Sequence, residues 1–335
     1  MRLHDLAELV RLPAALTVPG DVLAGASAAG YPHGRRTWAM PVASACLYWS
    51  GMALNDYADR ELDRAERPER PIPSGRVRPG QALAVAGGLT GAGLGLAAFG
   101  GGTRALRVAA PLAATVWGYD LLAKPTAAGP AFMAAARGLD VLLGADGRLR
   151  PAALPVTAMA VHTAGVTTLS RGEVHGTSPA VARVAVGTTV AAAVASAWPR
   201  GLSWRSAGVG DGVLARSALV PRASFTPGHT ADAIPHPRRG LASRPGQTAD
   251  RAQATRLAAA AGAAAVYAAS VGRAQAAAVR RPDAPTVRTA TGAGIRGMIP
   301  LQSALTARTG AIALAAGVLA AGPLAKLASK VVSPT

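Results

Sequence analysis

The chain has a single cysteine, Cys46, in 335 residues, so a disulfide framework is excluded. Aromatic residues make up only 4%, which leaves few platforms for stacking bases. Acidic residues are also scarce: 17 Asp and Glu stand against 35 Lys and Arg, a net charge of +18. Charged residues of both signs reach only 16%, while half the chain is hydrophobic and the mean hydropathy is +0.26. That is too little polar coat for a soluble domain of this length. The same apolar content excludes a disordered chain. A polytopic membrane protein remains. Its basic residues sit between apolar runs rather than in one patch. They read as topology signals and contacts for anionic head groups or diphosphates, and nucleic acid is not expected as a partner.

A hydrocarbon span needs about 20 mainly apolar residues. Candidate spans run over 12–29, 38–54, 82–99, 108–122, 130–143, 152–169, 181–197 and 257–279, with 287–305 and 310–327 forming two spans or one broken one. Strand alternation and aromatic girdles are missing, so the spans are helical. The fold class expected is an all-α, polytopic membrane bundle of about nine transmembrane helices. Residues 1–198 and 254–335 form two parts of one bundle. The Pro-, Gly- and Arg-rich stretch 199–253 between them reads as a poorly ordered insertion. The first apolar run follows Arg2 and Arg11, lacks a small-residue cleavage site and contains Asp21, so it reads as a retained helix. The loop after the second span carries Arg60, Arg64, Arg67, Arg70, Arg76 and Arg78, which orients it to the cytoplasm of a multi-pass cell-membrane protein. The connections holding Lys124 and Arg171 then face the cytoplasm too.

The second span ends in NDYADRELD, residues 55–63. Asp56, Asp59 and Asp63 fall at i, i+3 and i+7, which places three carboxylates on one helix face. Like charges so placed call for a cation, and hard oxygen ligands suit Mg²⁺ bridging to phosphates. An ordinary solvated helix end is the competing reading, but carboxylates at a membrane helix mouth are costly and usually functional. ERPERPIPSGRV follows at 66–77, with Arg67 and Arg70 each stiffened by the next proline. Guanidinium groups match phosphate oxygens. Carboxylates beside rigidly held arginines therefore form a candidate diphosphate site.

NDxxDxxxD followed by RPxRPxPSGR resembles the UbiA superfamily of intramembrane prenyltransferases. The opening RLPAALTVPGDVLAG, WGYDLLAKP at 117–125, RGLDVLLGA at 137–145 and SRGEVHG at 170–176 extend the likeness, the last two toward a poorly characterised bacterial branch. The resemblance implies a helical bundle around a central cavity. It implies binding of a prenyl diphosphate through Mg²⁺ and transfer of the prenyl group to an aromatic or other small acceptor. By motif match, Asn55, Asp56, Asp59 and Asp63 form the first Asp-rich motif. Arg67 or Arg70 is the diphosphate-binding arginine. Lys124 and Tyr119 match the basic and aromatic residues after the fourth helix, and Arg11 a basic residue of the first.

The family's second Asp-rich motif is missing. Residues 167–176 read TTLSRGEVHG. Glu173 can hold one Mg²⁺, Arg171 can replace part of a second metal's charge, and His175 can act as base or donor; alternatively the loop has lost metal binding. A relative with altered catalysis, acting in isoprenoid binding or transport, is the second function the sequence allows. A phosphatidyl transferase is disfavoured because DG and AR do not precede the aspartates. Elsewhere, Arg137 and Asp140 at i, i+3 read as a structural ion pair. His162 reads as a packed core histidine, Cys46 as core, and the glycines of 87–101 as helix contacts and a turn. Acceptor identity, chain length and oligomeric state are not encoded legibly.

Overall fold

The computed structural model describes residues 1–12, 17–30, 38–198 and 245–332. The expected insertion lies outside the described residues up to position 244; from Pro245 the chain is helical. Among the described residues every regular element is a helix. They are α1 (Leu3–Leu9), α2 (Pro19–Ala28), α3 (Ala39–Ala58), α4 (Arg60–Glu66), α5 (Pro79–Gly118), a π-helical turn (Tyr119–Ala123), α6 (Gly129–Gly144), α7 (Leu149–Ser170), α8 (Pro179–Ala197), α9 (Pro245–Arg280), α10 (Ala284–Ala307) and α11 (Ile312–Val332).

Glycine and proline punctuate this run. Gly102, at φ +62° and ψ −146°, breaks α5 into two legs, which correspond to the expected spans 82–99 and 108–122. Gly310, at φ +95°, separates α10 from α11, so the last apolar stretch is two helices. Ser178 caps α8 by accepting the Val181 N–H, and Asp283 caps α10 by accepting that of Thr286 at 2.9 Å. Among the described residues, four helical segments are long and apolar enough to cross a membrane on their own: 79–123, 149–170, 179–197 and 251–280. The other long helices are shorter or carry polar groups that the bundle covers. Asn55 and Asp56 end α3, and α10 buries Gln302. The protein is an integral membrane protein in which only part of the bundle is apolar all round.

Neighbours in sequence are neighbours in space. α3 lies along α5, and α6 through α11 pack pairwise in order. α2 packs on α6, and α10 returns to touch α2 and α7, closing the arrangement. Backbone approach between α2 and α6 is very close. A Cβ on Gly25 would overlap the Val141 carbonyl, and one on Gly144 would overlap the Val22 carbonyl. Such contact needs small residues, because membrane helices gain nothing from burying apolar surface against each other rather than lipid. The glycines of 87–101 are less uniform than expected. Gly93 meets Leu47 and Ala43, and Gly101 meets Ala105 and Met40, but Gly87, Gly88, Gly91 and Gly95 face open space.

The close α2–α6 contact corrects one expectation. Arg137 does not pair with Asp140 on its own helix. Its Nη1 donates to Asp21 Oδ2 on α2 at 2.7 Å, and Gln302 Nε2 donates to Asp21 Oδ1 at 2.8 Å. A fully buried Asp21 thus receives two donors from two helices, whereas both oxygens of buried Asp140 have no hydrogen-bond partner. His162 is satisfied as expected, receiving the Tyr267 hydroxyl contact at 2.7 Å and meeting the Gly294 carbonyl at 3.1 Å. Cys46 is buried core.

Two outcomes follow. Gly144→Val wedges α2 from α6 and is expected to cost about 1–3 kcal/mol or more, read as a lowered melting temperature in detergent. Asp21→Leu strands the Arg137 charge and is expected to cost about 3 kcal/mol, while Asp140→Asn is expected to be neutral or stabilising. Equal losses in the two variants would refute the assignment of Asp21 as the partner of Arg137.

Candidate active site

The site begins with the α3–α4 junction. At 3.6 residues per turn, Asp63 lies about 20° from Asp56 around the helix axis, and Asp59 about 60° away. Helical hydrogen bonding runs almost unbroken through the junction: the Asp59 N–H reaches Asn55 O and the Asp63 N–H reaches Asp59 O at 2.8 Å. Asp56 and Asp63 therefore face one way and Asp59 is rotated aside. The side chains follow that split. Arg70 Nη1 stands 2.6 Å from Asp63 Oδ2 and 3.6 Å from Asp56 Oδ1. Asp59 instead meets Lys124 Nζ, which also donates to Asn55 Oδ1 at 2.8 Å, while Asn55 Nδ2 donates to Asp59 at 3.1 Å.

The loop after α4 is folded around its arginines. Ile72 and Val77 are buried against Leu54 and Leu9, Gly75 turns the chain at φ +76°, and Ser74 Oγ donates to the Arg70 carbonyl at 2.6 Å. Arg76 reaches back to α1, donating to Glu8 at 2.6 Å and to Asp5 at 3.1 Å. The backbone N–H of Arg2, together with Arg76, holds the Asp5 carboxyl below its usual range. Latched this way, α1 delivers Arg11, whose Nη2 donates to Asp56 Oδ1 at 3.1 Å. Arg11 adopts φ +48°, a left-handed conformation that costs free energy for a non-glycine residue and is often kept at functional positions.

The third contributor is the turn after α5. Its π-helical register carries the Lys124 N–H to the Tyr119 carbonyl at 2.9 Å, and π turns of this kind cluster at functional sites. Tyr119 is half-buried and within electrostatic reach of Asp59 and Arg171. Gly129 lets the following turn fold tightly, since a Cβ there would stand 3.2 Å from the Lys124 carbonyl. Arg171, after α7, donates to the Thr126 carbonyl at 2.6 Å. The three polar clusters expected on one side of the membrane therefore do meet at one end of the bundle.

The structure brings together Arg11, Asn55, Asp56, Asp59, Asp63, Arg70 and Lys124, with Tyr119 and Arg171 at the border. Between the two candidate arginines, Arg70 is inside this network and Arg67 is exposed at the end of α4. Glu173 and His175 make no hydrogen bond or ion pair to these carboxylates. Their loop is held by its backbone, with Arg288 donating to the Glu173 carbonyl at 2.8 Å, and His175 is exposed. Of the other aromatics, Trp117 donates to Thr90 Oγ1 at 3.0 Å and Tyr57 is covered by Arg60 at 4.7 Å. One residue was missed in the sequence. Asp120 is buried on the π turn within electrostatic reach of Lys124, Asp59, Arg11 and Asp56. The four-residue spacing from Asp120 to Lys124 inside an apolar run was the available signal.

Among the described residues no three acidic, His or Cys side chains stand close enough to enclose a metal unaided. The donor chemistry nevertheless fits Mg²⁺. That ion keeps its waters and takes one or two carboxylates plus substrate phosphates rather than a full protein cage. Asp56 and Asp63, converging on one guanidinium nitrogen, supply such a pair. Asp59 and the Asn55 oxygen supply hard donors beside it.

Residues 15–174 match the model of the UbiA prenyltransferase family. Local likeness to curated proteins falls on digeranylgeranylglyceryl phosphate synthases. The one from Methanopyrus kandleri is 49% identical over 57 residues, 17% of this chain and 21% of the relative. That from Ignicoccus hospitalis is 41% identical over 98 residues, 29% of this chain and 32% of the relative. The chain thus spans a third or less of the length of these relatives in the matched segments. Two solved structures share the fold. A digeranylgeranylglyceryl phosphate synthase structure aligns with a TM-score of 0.57 at 18% identity, covering 93% of this chain and 99% of the other. A UbiA homologue from Aeropyrum pernix aligns with a TM-score of 0.52 at 18% identity, covering 84% and 96%.

The shared guanidinium gives a direct check. Arg70→Ala leaves Asp63 buried without its cation and is expected to cost about 3 kcal/mol. Adding Asp63→Asn to the same chain should recover most of the loss in thermal unfolding. No recovery would refute the pairing.

Proposed function

We propose that this chain, whose residues 15–174 belong to the UbiA prenyltransferase family, transfers an isoprenyl group from a prenyl diphosphate to an aromatic or other small acceptor at the cytoplasmic face of the membrane. The observation that carries the reading is the mouth of the bundle, where Arg11, Arg70 and Lys124 each hold a carboxylate of the NDxxDxxxD motif. Cations of that kind are what a diphosphate leaving group requires, and carboxylates so placed are what its metal requires.

Asp56 and Asp63, with Asp59 and Asn55 beside them, would hold Mg²⁺. Once bound, the metal supplies Lewis-acid stabilisation of the charge that develops on the diphosphate. The remaining work falls to the chain's own groups. Arg70 and Arg11 present forked N–H donors to phosphate oxygens. Lys124, carried by the π turn, adds a point charge. As the allylic C–O bond breaks, its electron pair leaves on the diphosphate and these cations stabilise the charge as it forms. The acceptor's electron pair then bonds the allylic carbon and its proton is released. Apolar helices around the isoprenoid tail exclude the water that would otherwise capture the cation.

The test is Mg²⁺-dependent diphosphate release by purified protein in nanodiscs. Labelled prenyl diphosphates of several lengths would be tried against a panel of acceptors. The relatives' name makes a geranylgeranyl donor the first choice. Asp56→Ala and Lys124→Ala are each expected to lower turnover by at least about 100-fold while the melting temperature shows a folded bundle. Binding of the donor with no diphosphate release from any combination would favour a carrier and overturn the proposal.

A further inference from the structure

The end of the bundle away from the carboxylates is also charged. α7 runs from Leu149 to Ser170, and Arg171 after it reaches the turn of Thr126, next to Lys124. α10 starts on that same side, since the Thr177 N–H donates to the Pro282 carbonyl at 2.8 Å. The start of α7 and the end of α10 therefore meet at the far end, where α2 also finishes. A cavity of about 340 Å³ opens between these three helices. Arg150 from α7, with Arg308 and Thr309 after α10, forms its polar lining, and Ala28, Leu154 and Leu305 contribute apolar surface. Among the described residues no acidic side chain lines it. Arg308 is fixed there, its Nε donating to the Trp198 carbonyl at 2.8 Å. Arg150 is exposed and makes no hydrogen bond or ion pair among the described residues. Arg256 of α9 brings a third guanidinium nearby: its Nε lies 2.7 Å from where a Cβ on Gly310, next to Thr309, would stand.

A second cavity, of about 470 Å³, continues from the first, and the two share Ala153 and Leu154. It follows the seam between α7 and α8, with Thr157 and Val161 on one side and Ala191 and Ala195 on the other. Both helices are apolar enough to cross a membrane. Ala153, Thr157 and Ala191 are exposed, so the groove faces hydrocarbon. From Ala153 to Val161 it follows about 12 Å of helix.

A cationic recess that runs on into an apolar groove fits a molecule with a phosphate at one end and a chain at the other. Guanidinium groups fork onto phosphate oxygens, and basic pockets between membrane helices hold lipid head groups in this way. Free phosphate would leave the groove unfilled. The orientation proposed above puts this end away from the cytoplasm. Arginine is enriched in cytoplasmic loops, so topology does not account for three arginines here. We infer that the composite cavity is a binding site for an anionic phospholipid, with the phosphate on Arg150 and Arg308 and one acyl chain between α7 and α8. Only the leaflet rests on the proposed function; the site itself does not.

The test uses the full chain in detergent, with phosphatidylglycerol as the anionic lipid, phosphatidylcholine as its zwitterionic counterpart and inorganic phosphate as the free anion. Bound lipid is counted by native mass spectrometry. The wild-type chain is expected to retain phosphatidylglycerol in preference to phosphatidylcholine. Arg150→Ala is expected to weaken that binding about tenfold. Ala191→Phe keeps every arginine but fills the groove, and a comparable loss is expected. Arg104→Ala, at an exposed arginine outside the cavity, is expected to bind as wild type does. Equal retention of the two lipids by the wild-type chain overturns the inference. So does unchanged binding in either Arg150→Ala or Ala191→Phe, or a loss in Arg104→Ala as large as that in Arg150→Ala. If inorganic phosphate displaces the lipid and Ala191→Phe binds normally, the recess takes a free anion and the lipid site is refuted. Turnover is not part of the readout, so this inference and the prenyl-transfer reading fail separately.

Discussion

A carboxylate buried at the end of an apolar bundle must be neutralised by something that reaches it, and that constraint organises this protein. Isolated ions are expensive in such surroundings, and removing one member of a buried pair costs more than the pair contributes. Asp56, Asp59 and Asp63 come from one continuous stretch, yet their cations come from three different places. Arg11 follows α1, Arg70 lies in the loop after α4, and Lys124 ends the π turn after α5. Each pair ties a distant segment to α3. The same logic operates deeper in the bundle, where Arg137 of α6 and Gln302 of α10 converge on Asp21 of α2.

Apolar packing decides which pairs can form. Gly25 and Gly144 let α2 and α6 approach until backbone touches backbone, and only then is Asp21 nearer to Arg137 than Asp140 is. Ile72 and Val77 sink into the cluster with Leu54 and Leu9, which fixes the loop that carries Arg70 and Arg76. Arg76 in turn secures α1 through Glu8 and Asp5. The strained backbone at Arg11 is tolerated because that latch determines where α1 ends. Small residues position the helices, and the ion pairs then select one arrangement among those the packing allows.

The parts of this design that were legible in the sequence are those encoded by local spacing. Apolar runs located most helices, and the i, i+3, i+7 aspartates located the site. The run of prolines and arginines after them located one of its cations, Arg70, while Arg11 and Lys124 came from the family resemblance. Spacing put all three on one face, whereas the structure sends Asp56 and Asp63 toward Arg70 and Asp59 toward Lys124. What stayed hidden depends on contacts between helices. An i, i+3 pattern suggested Arg137 with Asp140 because nothing in one dimension shows that α2 lies against α6. Asp120 was passed over because a lone aspartate in an apolar segment draws notice only through its four-residue spacing to Lys124. The glycines of 87–101 looked alike in sequence, yet Gly93 and Gly101 meet a neighbouring helix while Gly87, Gly88, Gly91 and Gly95 do not.

The ion pairs also account for why a site built for a metal and a diphosphate need not leave charges stranded before either arrives. Three cations rest on the three carboxylates of the motif, so each of these already has a partner. A phosphorylated substrate with its metal offers each partner a replacement: oxygens for the arginines and lysine, and a divalent cation for the carboxylates. Partners are exchanged rather than abandoned, and the desolvation cost of burying these groups has already been met in folding. Carboxylates alone would repel the diphosphate, and cations alone would leave the metal without protein ligands. A mouth that carries both, closed on one side by apolar helices, can accept the charged head of a lipid-like ester and shield its tail in a single binding step.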